Sequence, residues 1–76
     1  MTYDEAFRWC QEHQFSFEKF KYPDNVKTSI KEGVNVYGWA WPKDPAKQKV
    51  RISVVAPTLE EAVEVAEKDR LTVEVD

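Results

Sequence analysis

A thiol and an imidazole three residues apart on a helix lie close enough to act as nucleophile and base, which makes Cys10 and His13 the first pair to weigh. Cys10, however, falls on the apolar stripe of its segment, and neither a third orienting residue nor an oxyanion loop accompanies the pair. A small core thiol beside a boundary histidine accounts for both. One His and one Cys also lack the clustered partners that zinc needs. The acidic pairs Asp4-Glu5 and Glu60-Glu61 open helical segments, where they complement the macrodipole. With only Gly33 and Gly38 as glycines, the chain has no phosphate-cradling loop. The expectation is a protein without catalytic residues, metal or cofactor.

The other chemistry-bearing set is aromatic and basic: Tyr37, Trp39 and Trp41 in one alternating run, Lys49 and Arg51 in the next. The two runs, Val34–Trp41 and Lys49–Ala56, flank a proline-bounded charged loop and read as a β-hairpin. Whether the rings form a surface depends on parity. If paired residue numbers sum to an odd value, the rings join Val50, Ile52 and Val54 in the core. If the sum is even, Gly38 and Ala40 face inward, and the rings stand outside beside Lys49 and Arg51. A one-residue slip exchanges every side chain between faces. Volume favours odd register, because three large exposed rings on one strand would leave a small core underfilled. Even register would create a face of the kind that stacks single-stranded bases.

At 76 residues the chain is one domain of a size at which a single core is marginally sufficient. Three Trp, three Tyr and four Phe supply bulk, each ring burying about 150–250 Å². A lone cysteine excludes an internal disulfide and fits a reducing compartment. No apolar run approaches the ~20 residues of a membrane span, and the N-terminus lacks the basic lead of a signal peptide. A cytoplasmic protein without membrane contact is expected. The net charge of −3 is unevenly spread, with acidic ends and a basic middle over residues 19–51. Oppositely charged elements packing within one fold explain that pattern, and a positive sheet face meeting an acidic partner is the sharper alternative.

The elements follow from caps and periodicity. Thr2 with Glu5 forms a capping box, and the helix runs to about His13 with Tyr3, Ala6, Phe7 and Cys10 on its apolar stripe. Trp9 and His13 sit on the flank. Phe15 and Phe17 open a strand that Pro23-Asp24-Asn25 ends. Residues 26–30 read as a short strand leading into a hairpin loop with Gly33 at positive φ, or else as one helical turn closed by Gly33. Thr58 with Glu61 repeats the capping box, with Leu59, Ala62, Val63 and Ala66 as the buried stripe. Leu71 to Val75 alternates as a closing strand. Thr2–Cys10 and Phe15–Glu18 align without gaps on Thr58–Ala66 and Leu71–Glu74 at a constant offset of 56, a match that shared rules for a helix feeding a strand explain better than an internal duplication does. The fold expected is α+β: an antiparallel-rich sheet of four or five strands with both helices on one face, in the order α-β-(β)-β-β-α-β.

Helix, three strands and helix over residues 2–69 resemble the double-stranded-RNA-binding domain in element order. That family opens its second helix with a lysine cluster that grips phosphates, whereas this helix opens Thr58-Leu59-Glu60-Glu61. Its exposed Glu60, Glu61, Glu64 and Glu67 would repel a duplex carrying one charge per ~1.7 Å. In size and texture the chain is also similar to small bacteriophage accessory proteins, some of which block host complexes by mimicking nucleic-acid charge. That resemblance implies a protein-binding module, inhibitory in effect, with Glu60, Glu61, Glu64 and Glu67 as the mimicking surface and Trp39 and Trp41 as anchors. Single-stranded nucleic-acid binding through Tyr37, Trp39, Trp41, Lys49 and Arg51 is the alternative, and homodimerisation through a sheet edge is open.

The alanines of the second helix let it sit close to the sheet. Ala62→Leu or Ala66→Leu should overpack that interface and lower the unfolding free energy by about 1–3 kcal/mol, measured by denaturant titration.

Overall fold

The computed structural model describes residues 1–27 and 31–75, the side chain of Val75 excepted. Helix α1 (Tyr3–Glu12) leads to strand β1 (Ser16–Lys21), then β2 (Glu32–Ala40), β3 (Val50–Ala56) and helix α2 (Leu59–Val75). The strands form one antiparallel sheet in the order β1-β2-β3, and both helices cover the same face of it. The fold is α+β, as expected. Its α-β-β-β-α order, with three strands among the described residues, replaces the expected four or five.

Both helices begin as their caps dictate. Thr2 Oγ1 accepts from the Glu5 N–H at 3.2 Å, and Glu5 Oε1 accepts from the Thr2 N–H at 3.1 Å. Those bonds to Thr2, backbone first, hold the Glu5 carboxyl below its ordinary pKa by favouring the charged form. In the second helix Thr58 Oγ1 accepts from the Glu61 N–H at 3.3 Å.

The far end of α1 decides the rest of the architecture. Gln14 adopts φ 58°, and the Phe15 N–H donates to the Cys10 carbonyl at 2.8 Å, which is the Schellman closure. A hydrophobic contact usually accompanies that closure. Here Phe15 meets Trp9 with ring centroids 4.8 Å apart. Trp9, expected on the flank, is therefore buried with Ala6 and Cys10, while Tyr3 and Phe7 lie exposed at the edge. Phe7 still meets Phe17 edge-on at 5.7 Å.

Strand register corrects the odd-sum expectation. Gly38 pairs with Ile52, Trp39 with Arg51 and Ala40 with Val50, so the sums are even. Val34, Val36, Gly38 and Ala40 face the helices together with Ile52, Val54 and Ala56. The volume that the outward rings would have supplied comes instead from Phe15 and Trp9. A Cβ built on Gly38 would lie 2.7 Å from two Phe15 ring atoms, so the ring lies directly on the bare glycine.

Two further expectations are corrected. Gly33 lies within β2 at negative φ, not in a hairpin loop, and it is small for another reason: a Cβ there would collide with the Ala56 carbonyl oxygen. Of the strand or turn expected over 26–30, residues 28–30 lie outside the described residues, and Val26 and Lys27 belong to no regular element. Leu71–Val75 is not a strand but the last turns of α2. No glycine or proline interrupts the helix there, Thr72 Oγ1 donates back to the Lys68 carbonyl at 2.9 Å, and Arg70 pairs with Glu74 at 3.2 Å. Val73 packs against the core. The offset repeat is thus a likeness of helix starts alone.

Gly38→Ala should destabilise the fold by about 1–3 kcal/mol, because the new methyl must displace Phe15. In a double-mutant cycle with Phe15→Ala that cost should shrink, and additive costs would show that the ring is not what the glycine accommodates.

Candidate binding face of the sheet

With the helices on one side, the other side of the sheet carries the residues that chemistry singled out. Even register turns Tyr37 and Trp39 outward on β2 beside Arg51 and Ser53 on β3, and Trp41 and Lys49 extend the two rows just past the paired residues. Arg51 Cζ lies 5.1 Å from the Tyr37 ring centroid and 5.2 Å from that of Trp39. Lys49 Nζ lies 4.3 Å from the Trp39 centroid and 5.5 Å from that of Trp41. The five side chains interleave as a cross-strand ladder in the order Tyr37, Arg51, Trp39, Lys49, Trp41. Each such cation–ring contact on a solvent face contributes about 0.5–1 kcal/mol.

The ladder remains accessible. Trp39 is 41% exposed and Trp41 62%, whereas Trp9 in the core is 7% exposed. Ser53 Oγ donates to Asn35 Oδ1 at 3.1 Å in the neighbouring rows, which fixes the polar centre of the face. At its far end Phe20, opposite Gly33, also points outward and meets Tyr22 at 5.2 Å. Sequence reasoning missed Phe20. Its even number, against odd Phe15 and Phe17 on the core side, was the available signal, since alternate residues of a strand face opposite ways.

The basic middle of the sequence is divided by the fold. Lys49 and Arg51 are on the outer face, but Lys19 and Lys21 pair with Val34 and Glu32 and point to the other side. Glu18, opposite Asn35, places an anion on the outer face. Of the acidic residues expected to form a mimicking surface, Glu61 and Glu64 are exposed, and Glu60 and Glu67 half-buried. They belong to α2, across the sheet from the ladder. Glu64 Oε1 is 3.4 Å from the Met1 ammonium nitrogen. The two candidate surfaces therefore do not merge into one.

Cys10 is buried among Ala6, Trp9 and Phe15, and burial raises its thiol pKa above the ordinary value. A nucleophilic cysteine needs the opposite shift. The His13 ring packs against Trp9, tilted by 53° with centroids 4.8 Å apart. Among the described residues no three His, Cys, Asp or Glu side chains come together as metal ligands, and no helix is long and apolar enough to cross a membrane.

A chain carrying Trp39→Phe and Trp41→Phe keeps only the buried Trp9. Its fluorescence should shift to the blue of the wild-type emission and lose most of its quenching by iodide. Unchanged quenching would contradict the outward placement of the two indoles. Against family models, curated proteins and solved structures alike, the chain has no match.

Proposed function

We propose that the chain is a small non-enzymatic module that binds a partner protein, and that the contact is made by the outer sheet face rather than by the acidic side of α2. The observation carrying this reading is the exposed ladder of Tyr37, Trp39 and Trp41 interleaved with Lys49 and Arg51. Trp, Tyr and Arg dominate the residues that supply binding energy at protein interfaces. Large rings held in place by flanking cations lose little further freedom on binding, which lowers the ordering cost. In this reading the acidic residues of α2 keep a small domain soluble and stay clear of the contact.

Single-stranded nucleic acid is the second reading, favoured by the two cations among the rings and by the strong exposure of Trp41. Protein is preferred because Lys49 and Arg51 already lie over the ring faces on which bases would stack, and because Glu18 shares the surface.

The test compares three immobilised chains of equal thermal stability: wild type, Trp39→Ser with Trp41→Ser, and Glu61→Lys with Glu64→Lys. A protein held by wild type and by the lysine variant, but lost from the serine variant, is the expected result. Loss from the lysine variant alone would transfer the contact to α2. Tryptophan quenching by a single-stranded oligonucleotide, reversed by salt and absent in the serine variant, would replace the protein by nucleic acid.

A further inference from the structure

The geometry points to a second surface, independent of the ladder: we infer that the outer edge of β3 pairs antiparallel with β3 of a second copy of this chain, joining two three-stranded sheets into one of six. Both edges of the sheet are strands, but they differ in kind. The β1 edge, Ser-Phe-Glu-Lys-Phe-Lys, presents the exposed charges Glu18, Lys19 and Lys21, the usual protection against edge pairing. The β3 edge, Val-Arg-Ile-Ser-Val-Val-Ala, has one charge in seven residues and no proline. Val50 is 41% exposed and Val55 46%. Beside this edge runs an open groove of about 360 Å³ between β3 and the last turns of α2, lined by Val50, Ile52, Asp69, Thr72 and Val73 among others.

A second copy is the occupant because the strand is complementary to itself. Pairing must keep core-side residues on the core side, which permits only registers that place residues of like parity opposite each other. Centred on Ser53, such a pairing engages the whole strand. It sets Arg51 against the partner's Val55, Ile52 against the partner's Val54, Val50 against the partner's Ala56, and Ser53 against the partner's Ser53. No like charges meet. Centring on Arg51 would oppose two guanidinium groups, and like charges directly opposite are unfavourable. In the Ser53 register the partner's Val54 and Ala56 project on the side where the groove opens, covering Val50 and Ile52. The two ladders come to lie on one continuous sheet face, so a partner protein would meet them in duplicate.

Sedimentation equilibrium over a wide concentration range tests the pairing through Ser53, an exposed side chain whose replacement leaves the core untouched. The wild-type chain should pass from monomer to dimer as concentration rises. Ser53→Lys and Ser53→Asp should each weaken the dimer severalfold while thermal unfolding confirms the fold, and an equimolar mixture of the two should restore it, because the substituted residues then face each other with opposite charge. A chain monomeric at millimolar concentration overturns the inference, as does a dimer indifferent to both substitutions. Strengthening by Ser53→Asp alone would set Ser53 against the partner's Arg51 and overturn this register. A monomer whose β3 amides gain exchange protection only when an unrelated extended peptide is added would give the edge to a foreign strand instead.

Discussion

The contact between the Phe15 ring and the bare Cα of Gly38 is the constraint on which the rest of the molecule depends. A side chain on residue 38 would occupy the space the ring fills, with ring atoms within 2.9 Å of its first carbon. Because Gly38 must face the helices, its neighbours Tyr37 and Trp39 must face away. The same contact explains how a core with Gly38 and Ala40 at its centre is filled: the turn after α1 lowers a phenyl ring onto the strand, and Trp9 backs it. The Schellman closure aims that ring. Gln14 takes the left-handed conformation that glycine adopts more easily, at a cost of about 1–2 kcal/mol, and the packing of Phe15 offsets it. Among the described residues, the one non-glycine position at positive φ thus serves the central packing contact.

The core is also dense in small residues. Ala6, Ala40, Ala62 and Ala66 are fully buried, and Cys10 almost so. Small residues bring α1, α2 and the sheet close together, and close approach leaves room for only a few large groups. Trp9 and Phe15 take those places. Trp9 does so with its indole Nε1 buried and without a hydrogen-bond partner among the described residues, a donor that costs roughly 1–3 kcal/mol to desolvate. Rings outside the core are therefore a surplus that folding does not consume. Their cations shield them from water in part, but large rings this exposed are uncommon on a solvent-facing sheet, and this distinguishes the outer face from the helix-covered one.

Charge follows the same division. Eight cations stand in residues 19–51, yet the sheet pleat sends Lys19 and Lys21 to one side and Lys49 and Arg51 to the other. Four of those eight cations thus separate into two pairs on opposite sides of the sheet. The face that results is aromatic, with two cations embedded among the rings and the Glu18 carboxylate beyond them. The two sheet edges divide in a comparable way, with charge concentrated on β1 and almost absent from β3.

Local rules alone determined both helix starts, since a threonine hydroxyl at the cap accepts from the N–H three residues on wherever the chain goes next. They also determined the buried stripe Leu59, Ala62, Val63 and Ala66, the central hairpin, and the α+β class. Tertiary structure decided what depends on a distant partner. Leu71–Val75 alternates like a strand over five residues, too few to separate a period of 2 from one of 3.6, and continuation of a helix already packed on the sheet prevailed. Trp9 rather than Phe7 entered the core because the turn at Gln14 brought Phe15 to its side. Parity of the hairpin, and with it the existence of an aromatic face, was invisible locally: either register satisfies the same alternation, and only the ring from fifteen residues into the chain, lying where Gly38 has no side chain, selects between them.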